Sequence, residues 1–248
     1  NIFRNAYSLT KSFLLDEKAG TVRKPVIVFG AGESTKHTLD ILALKAKDEP
    51  DFLKKYYLLA TDASLPVFNA YGITPDAVAG LEAQAAIEKA YIGSAGKKIT
   101  LFTDISSRPQ IKDILGGETV FFATKYAECC FLNGLRDCGL IQSFIPAMGS
   151  VGLAAVYIAL TLRYDDTVPV FITGLDFSFS TGATHAKGAP AHLVRLSSTQ
   201  RFNAVENYDA AFKNGTFCFT GKDSRLTRSD SILSSYAFSF KAIFEKTP

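Results

Sequence analysis

The stretch KPVIVFGAGESTKHTLDIL, residues 24–42, decides the fold. It reads as a buried strand (Val26–Gly30), a tight glycine turn and a helix opening at Ser34 and running to about Lys47. Leu39, Leu42, Ala43 and Ala46 share one face of that helix, and Pro50 stands just beyond its end. Strand, glycine turn and helix in that order place free N–H groups at a helix start, an arrangement that favours an anion. The turn itself, Gly30-Ala31-Gly32-Glu33-Ser34-Thr35, has threonine where a dinucleotide fingerprint carries its third glycine, and Glu33 puts a carboxylate where a pyrophosphate would lie. NAD is therefore a poor expectation, and a plain tight turn and a ligand site both remain open.

Working outward, the same alternation repeats. YYLLATD (56–62), AVAGLE (77–82), KKITLFTD (97–104), TVFFATK (119–125), QSFIPA (142–147) and VPVFITG (168–174) read as further strands. Between them lie helical patterns, among them SLPVFNAYG, a stretch at 83–92 and SVGLAAVYIALTLRY, which is apolar on nearly every side and so expected to be buried. Apolar strands spaced by helices predict a Rossmann-like α/β fold: a mostly parallel sheet with helices on both faces. We expect one domain over residues 1–248, with a core at about 22–178. Residues 180–230 are polar, with little regular period, and are expected to form a lid before a closing helix near Asp230–Glu245. Between Lys187 and Arg228 that lid carries Lys187, Arg195, Arg201, Lys213, Lys222, Arg225 and Arg228 against Glu206, Asp209 and Asp223. A basic lid over an anionic ligand and a solvated loop are both compatible with that balance.

Composition narrows the partners. The 248 residues are 47% hydrophobic and 21% charged, as in an ordinary soluble chain, and the net charge of +3 with no dense Lys/Arg run argues against nucleic acid. Val151–Leu162 is the longest strongly apolar segment, well short of the ~20 residues that cross a bilayer, so no membrane partner is expected. No signal peptide precedes the first strand, and Cys129, Cys130, Cys138 and Cys218 match no zinc spacing. They are expected as buried, reduced thiols of a cytoplasmic protein. The opening Asn1 suggests a piece of a longer protein.

In a parallel sheet, ligands bind beyond the carboxyl ends of the strands at a switch in strand order, so the candidates follow strands. Gly30, Gly32 and Ser34 form the first group. Asp62 is the second, able to meet ribose hydroxyls or to cap the next helix. Glu82 is the third; nearby Asp76 reads as a turn former. The fourth is Gly149, Ser150, Gly174 and Asp176, followed by His185. Ser34, Asp62, Ser150 and Asp176 are expected around one cleft.

Together these groups resemble the central domain of the motility-associated factor (MAF) flagellin glycosyltransferases. The likeness runs from about Val22 to Gly188 through the Gly-x-Gly-x-Ser turn, Asp-Ala-Ser-Leu-Pro (62–66), GITPDAVAGLE (72–82), GSVGLAAVYIAL (149–160), GLDFSF (174–179) and THAKG (184–188). Small bacterial CMP-sialic acid sialyltransferases and archaeal 6-hydroxymethylpterin diphosphokinases are similar in layout. The resemblance implies a nucleotide held by Gly30, Gly32 and Ser34, with Asp62 near its ribose, Gly149 and Ser150 beside it, and Gly174–Asp176 at the reacting centre. Glu33 and Thr35 depart from the Pro and Leu common in that turn. Residues 178–184 contain no tyrosine where the sialyltransferases bind phosphate, and FTGKDSRL (219–226) has Lys222 and Asp223 where they carry a catalytic histidine.

Three functions follow as expectations. The first is transfer of a nonulosonic acid from a CMP donor to Ser/Thr of flagellin or another protein acceptor. It needs no cofactor; the helix starts at Ser34 and Ser150 and Lys187 would stabilise the leaving phosphate, and His185 would act as base, oriented or replaced by Asp176. The second is ATP-dependent diphosphoryl transfer to a hydroxymethyl pterin, with Mg²⁺ on Asp62, Glu82 and Asp176. The third is a non-catalytic nucleotide- or protein-binding module.

Overall fold

The computed structural model describes residues 1–125, 129–141, 144–180, 182–206, 208–221 and 226–245. Its centre is a sheet of parallel strands: β1 (Phe13–Leu14), β2 (Val26–Phe29), β3 (Tyr57–Thr61), β4 (Ala77–Gly80), β5 (Thr100–Asp104), β6 (Thr119–Lys125), β7 (Phe144–Pro146) and β8 (Val170–Thr173). The order is β1-β6-β5-β4-β3-β2-β8, with β7 also on β6. β1 pairs at Val120–Phe121 and β7 at Ala123–Lys125, so both share the far side of β6. From β2 to β6 each strand adds on one side; β8 returns to the other side of β2, with Val26 opposite Val170 and Phe29 opposite Thr173. That reversal is the topological switch point.

The strands read as continuous apolar runs because both faces are covered. Ile27, Phe29, Leu58, Ala60 and Val78 face α2 (Ser34–Asp48), α3 (Leu65–Ala70), α4 (Glu88–Tyr91) and α5 (Ile111–Leu115), and Phe29 packs edge-on against Phe68. Val26, Val28, Leu59, Ala77 and Ala79 face α7 (Val151–Leu162). α7 is buried on nearly all sides, as its composition requires, because α10 (Ser231–Phe244) lays Tyr236, Phe240, Ile243 and Phe244 over the same cluster. A smaller cluster joins Leu9 of α1 (Ile2–Leu9) and Leu135 of α6 (Cys130–Asp137) to Phe121 and Ala123. β8 is an edge strand, with Phe171 and Ile172 exposed.

The mostly parallel α/β sheet is as expected, with three differences in detail. α1 and β1 precede the expected core start at residue 22. The lid is more regular than its composition indicates: it holds α8 (Pro190–Ser197), α9 (Tyr208–Phe212) and an antiparallel pair, β9 (Thr216–Thr220) with β10 (Leu226–Asp230). β10 is stitched to the segment after β8 by reciprocal backbone bonds between Phe179 and Arg228. The four cysteines are free but not buried; Cys129 is half-buried and the other three are exposed. No helix among the described residues is long and apolar enough to cross a membrane.

Candidate functional site

Beyond the carboxyl ends of β2 and β8 lies a cleft of about 380 Å³. One wall is backbone: Gly30, Ala31 and Gly32 after β2, Gly174 after β8, and Ser150 to Gly152 at the start of α7. Leu175, Phe177, Phe179, Ile232, Leu233 and Tyr236 supply apolar faces; Asp176, Thr184, His185, Lys213 and Asp230 supply the polar ones.

The two glycine loops are built against each other. Gly30 N–H donates to Thr173 O at 2.8 Å and Gly32 N–H to Gly174 O at 2.9 Å. A Cβ on Gly30 would meet the Gly174 carbonyl, one on Gly32 the Asp176 carboxylate, and one on Gly174 (φ +72°) the hydroxyl of Thr35. These glycines are therefore accounted for by loop-on-loop approach. Thr35, in place of the third glycine, is fully buried and donates its hydroxyl to Gly30 O at 2.7 Å.

Asp176 occupies the start of α2. One carboxylate oxygen accepts Ser34 N–H at 3.0 Å, and the other accepts the Ser34 hydroxyl in a very short bond. Ser34 Oγ in turn accepts Gly174 N–H at 2.7 Å, which locks the two loops together. A carboxylate at a helix N-terminus is favourable in charge, and the anion expected on this turn is thus supplied by the chain itself. Glu33 extends the tie by accepting the Ser180 hydroxyl. Phe177 follows at φ +47°, a conformation uncommon for a non-glycine residue and typical of functional turns.

His185 reaches the cleft because its neighbour is anchored: Ala186 is buried and donates its N–H to Ala31 O at 2.9 Å. His185 Nδ1 lies 3.1 Å from Thr184 Oγ1, and no hydrogen bond to Asp176 is made among the described residues. The expected pairing of Asp176 with His185 is not formed among the described residues, where Asp176 instead accepts both the N–H and the hydroxyl of Ser34. The cleft walls partly desolvate the imidazole and hold its pKa below the ordinary histidine value, although the residue keeps an exposed face.

Of the other expected residues, Ser150 lines the cleft and caps α7 by accepting Gly152 N–H at 3.2 Å. Gly149 turns the chain at φ +69° beside the Tyr236 ring. Asp62 departs from expectation. Its neighbours Thr61 and Ala63 line the cleft, but its own side chain is 4% exposed and sits behind the wall, one oxygen accepting Ala63 N–H at 2.7 Å. Burial is the main cause that lifts its pKa to about 7, with the nearby charge of Glu82 adding to it. Glu82 lies outside the lining and caps its own turn by accepting Ala83 and Gln84 N–H. Asp76 is a turn former that accepts Leu58 N–H at 2.8 Å. Lys187 is exposed and outside the lining. Lys222 and Asp223 fall outside the described residues.

Mg²⁺ on Asp62, Glu82 and Asp176 does not fit this arrangement. One is buried behind the wall, one caps its own turn outside the cleft lining and one is bonded to Ser34; among the described residues no three His, Cys, Asp or Glu side chains could hold a metal.

Sequence reading alone did not single out Lys213, Asp230 or Tyr236. Lys213 was one of seven lid cations with nothing to rank it, and Asp230 had a weak signal in the Asp-Ser-Ile-Leu start of the last helix, where it accepts Leu233 N–H at 2.9 Å. Tyr236 carries no local signal.

Comparison with known proteins bears on the fold and the family. The MAF glycosyltransferase from Magnetospirillum magneticum AMB-1 superposes over 99% of this chain and 35% of its own, with a TM-score of 0.57 and 14% identity, which is a likeness of fold. A protein of Treponema pallidum (strain Nichols), titled "Uncharacterized protein", is 35% identical over 202 residues, 82% of this chain and 34% of its own length. The chain spans about a third of the length of both. A family model described as 6-hydroxymethylpterin diphosphokinase MptE-like matches residues 1–182. With most of its length inside that match, the chain belongs to the MptE-like family.

Proposed function

We propose that the chain carries the catalytic domain of a nucleotide-sugar-dependent glycosyltransferase. The donor is a CMP-linked nonulosonic acid, of the sialic or pseudaminic type, and the acceptor a Ser/Thr hydroxyl of flagellin or another cytoplasmic protein. The observation that carries the reading is the cleft at the β2–β8 switch point, where the backbone of two glycine loops, the start of α7 and His185 converge. The fold shared with a MAF glycosyltransferase supports it.

In the transfer, the bond between the anomeric carbon and the phosphate oxygen breaks, and CMP leaves with the electron pair. The acceptor oxygen bonds to the anomeric carbon and gives up its proton. His185 suits that proton: its depressed pKa leaves the imidazole neutral near neutral pH, and in the tautomer whose Nδ1–H donates to Thr184 Oγ1, Nε2 is the nitrogen that takes it. The reaction as proposed needs no metal or other cofactor.

The test is binding followed by turnover. Calorimetry should find CMP binding without magnesium, and His185→Ala should abolish transfer while leaving CMP affinity nearly intact. ATP binding that requires magnesium, with no response to CMP, would refute the reading in favour of diphosphoryl transfer.

A further inference from the structure

We propose that Lys213 is the group in the cleft that grips the anionic part of its ligand, so that phosphate lies beside α9 and α10 instead of on the glycine turn. The inference rests on the nucleotide reading above and deepens it.

The turn is closed to phosphate in two ways. Ser34 N–H and hydroxyl are spent on Asp176, and the carboxylate there repels a second anion. At the start of α7, Ser150 Oγ takes up one of the free N–H groups, that of Gly152. Among the described residues that line the cleft, Lys213 is the only lysine or arginine.

The surroundings of Lys213 suit a cation that changes partners. Its Nζ lies 3.0 Å from Asp230 Oδ2, and its side chain is 53% exposed against 14% for Asp230. Asp230 is held independently by Leu233 N–H at the start of α10. When Lys213 turns toward a ligand, Asp230 keeps the Leu233 N–H on its Oδ1. An ion pair with one partner so exposed is weak, whereas a phosphate offers several charged oxygens. Phe177, Phe179 and Tyr236 line the same space and suit the organic part of the ligand.

The experiment is isothermal titration calorimetry with CMP, cytidine and inorganic pyrophosphate against wild type, Lys213→Met, Lys213→Gln, Lys213→Arg and Lys187→Met. Both neutral Lys213 variants should lose CMP affinity by about tenfold or more and leave cytidine unchanged. Lys213→Arg should retain most of the affinity, and Lys187→Met should match wild type. CMP binding that survives both neutral variants, or falls with Lys187→Met instead, overturns the inference and leaves the nucleotide reading standing. Pyrophosphate binding that depends on Lys213, with no response to CMP or cytidine, upholds the inference and defeats that reading. A wild-type chain that takes none of the three overturns both.

Discussion

Replacing Asp62 by asparagine should make the chain more stable at about pH 8 and leave it almost unchanged at about pH 4. In the folded chain the carboxyl is 4% exposed and titrates at about 7, against an ordinary 3.8, chiefly because burial penalises its charge. Between those two values the folded state holds a proton that the unfolded state has released, so stability falls as pH rises, by about 1.4 kcal/mol per pH unit. Across the interval the loss reaches roughly 4 kcal/mol, an upper figure because relaxation and water reduce such penalties. Asparagine has no charge to bury, and its carbonyl oxygen can still accept the Ala63 N–H. The gain from Asp62→Asn should therefore be about 1–4 kcal/mol above pH 7 and shrink toward zero on acidification. Urea unfolding at several pH values, with the slope monitored to confirm a common unfolded state, measures it directly. A stability difference that does not change with pH, or a variant less stable at pH 8, would refute the argument.

Three further outcomes follow from the site. Ser34→Ala removes the hydroxyl that links Asp176 to Gly174, leaving a carboxylate oxygen and an N–H short of partners; the cost should be about 1–3 kcal/mol by urea unfolding. Gly174→Ala meets both a left-handed backbone and the Thr35 hydroxyl, and should cost roughly 2–5 kcal/mol or prevent soluble expression. In a transfer assay, the acid limb of the pH–rate profile should fall below the ordinary histidine value of about 6.5, because the folded imidazole resists protonation; a limb at or above that value would remove His185 from the role of base.

Much of this fold was legible in residues 24–42 and the runs that repeat their pattern. Strands buried on both faces need unbroken apolar residues, and that requirement writes itself into short segments such as VIVF and YLLAT. β1 was not legible because two residues have no period, and its pairing depends on β6 far along the chain. The β9–β10 pair left only the alternation of Phe217, Cys218 and Phe219 as a trace, inside a segment whose composition otherwise reads as loop. At the site, position after a strand picked out Gly30, Gly174, Asp176 and Ser150, which line the cleft. It misled for Glu82, two residues past the end of β4 and turned into its own local bonds. Which oxygen Ser34 meets, or that Asp62 lies behind the wall instead of on it, depends on side-chain direction across the sheet, which spacing does not encode.

The seam between β2 and β8 also sets an order of events during synthesis. Ser34 and Asp176 are 142 positions apart, yet each completes the other. A ribosome adds about 5–20 residues per second, so the first loop waits roughly 7–28 s for its counterpart to be made. Until then there is no pocket to fill, and small molecules that fit it can recognise only chains whose translation has passed the second loop.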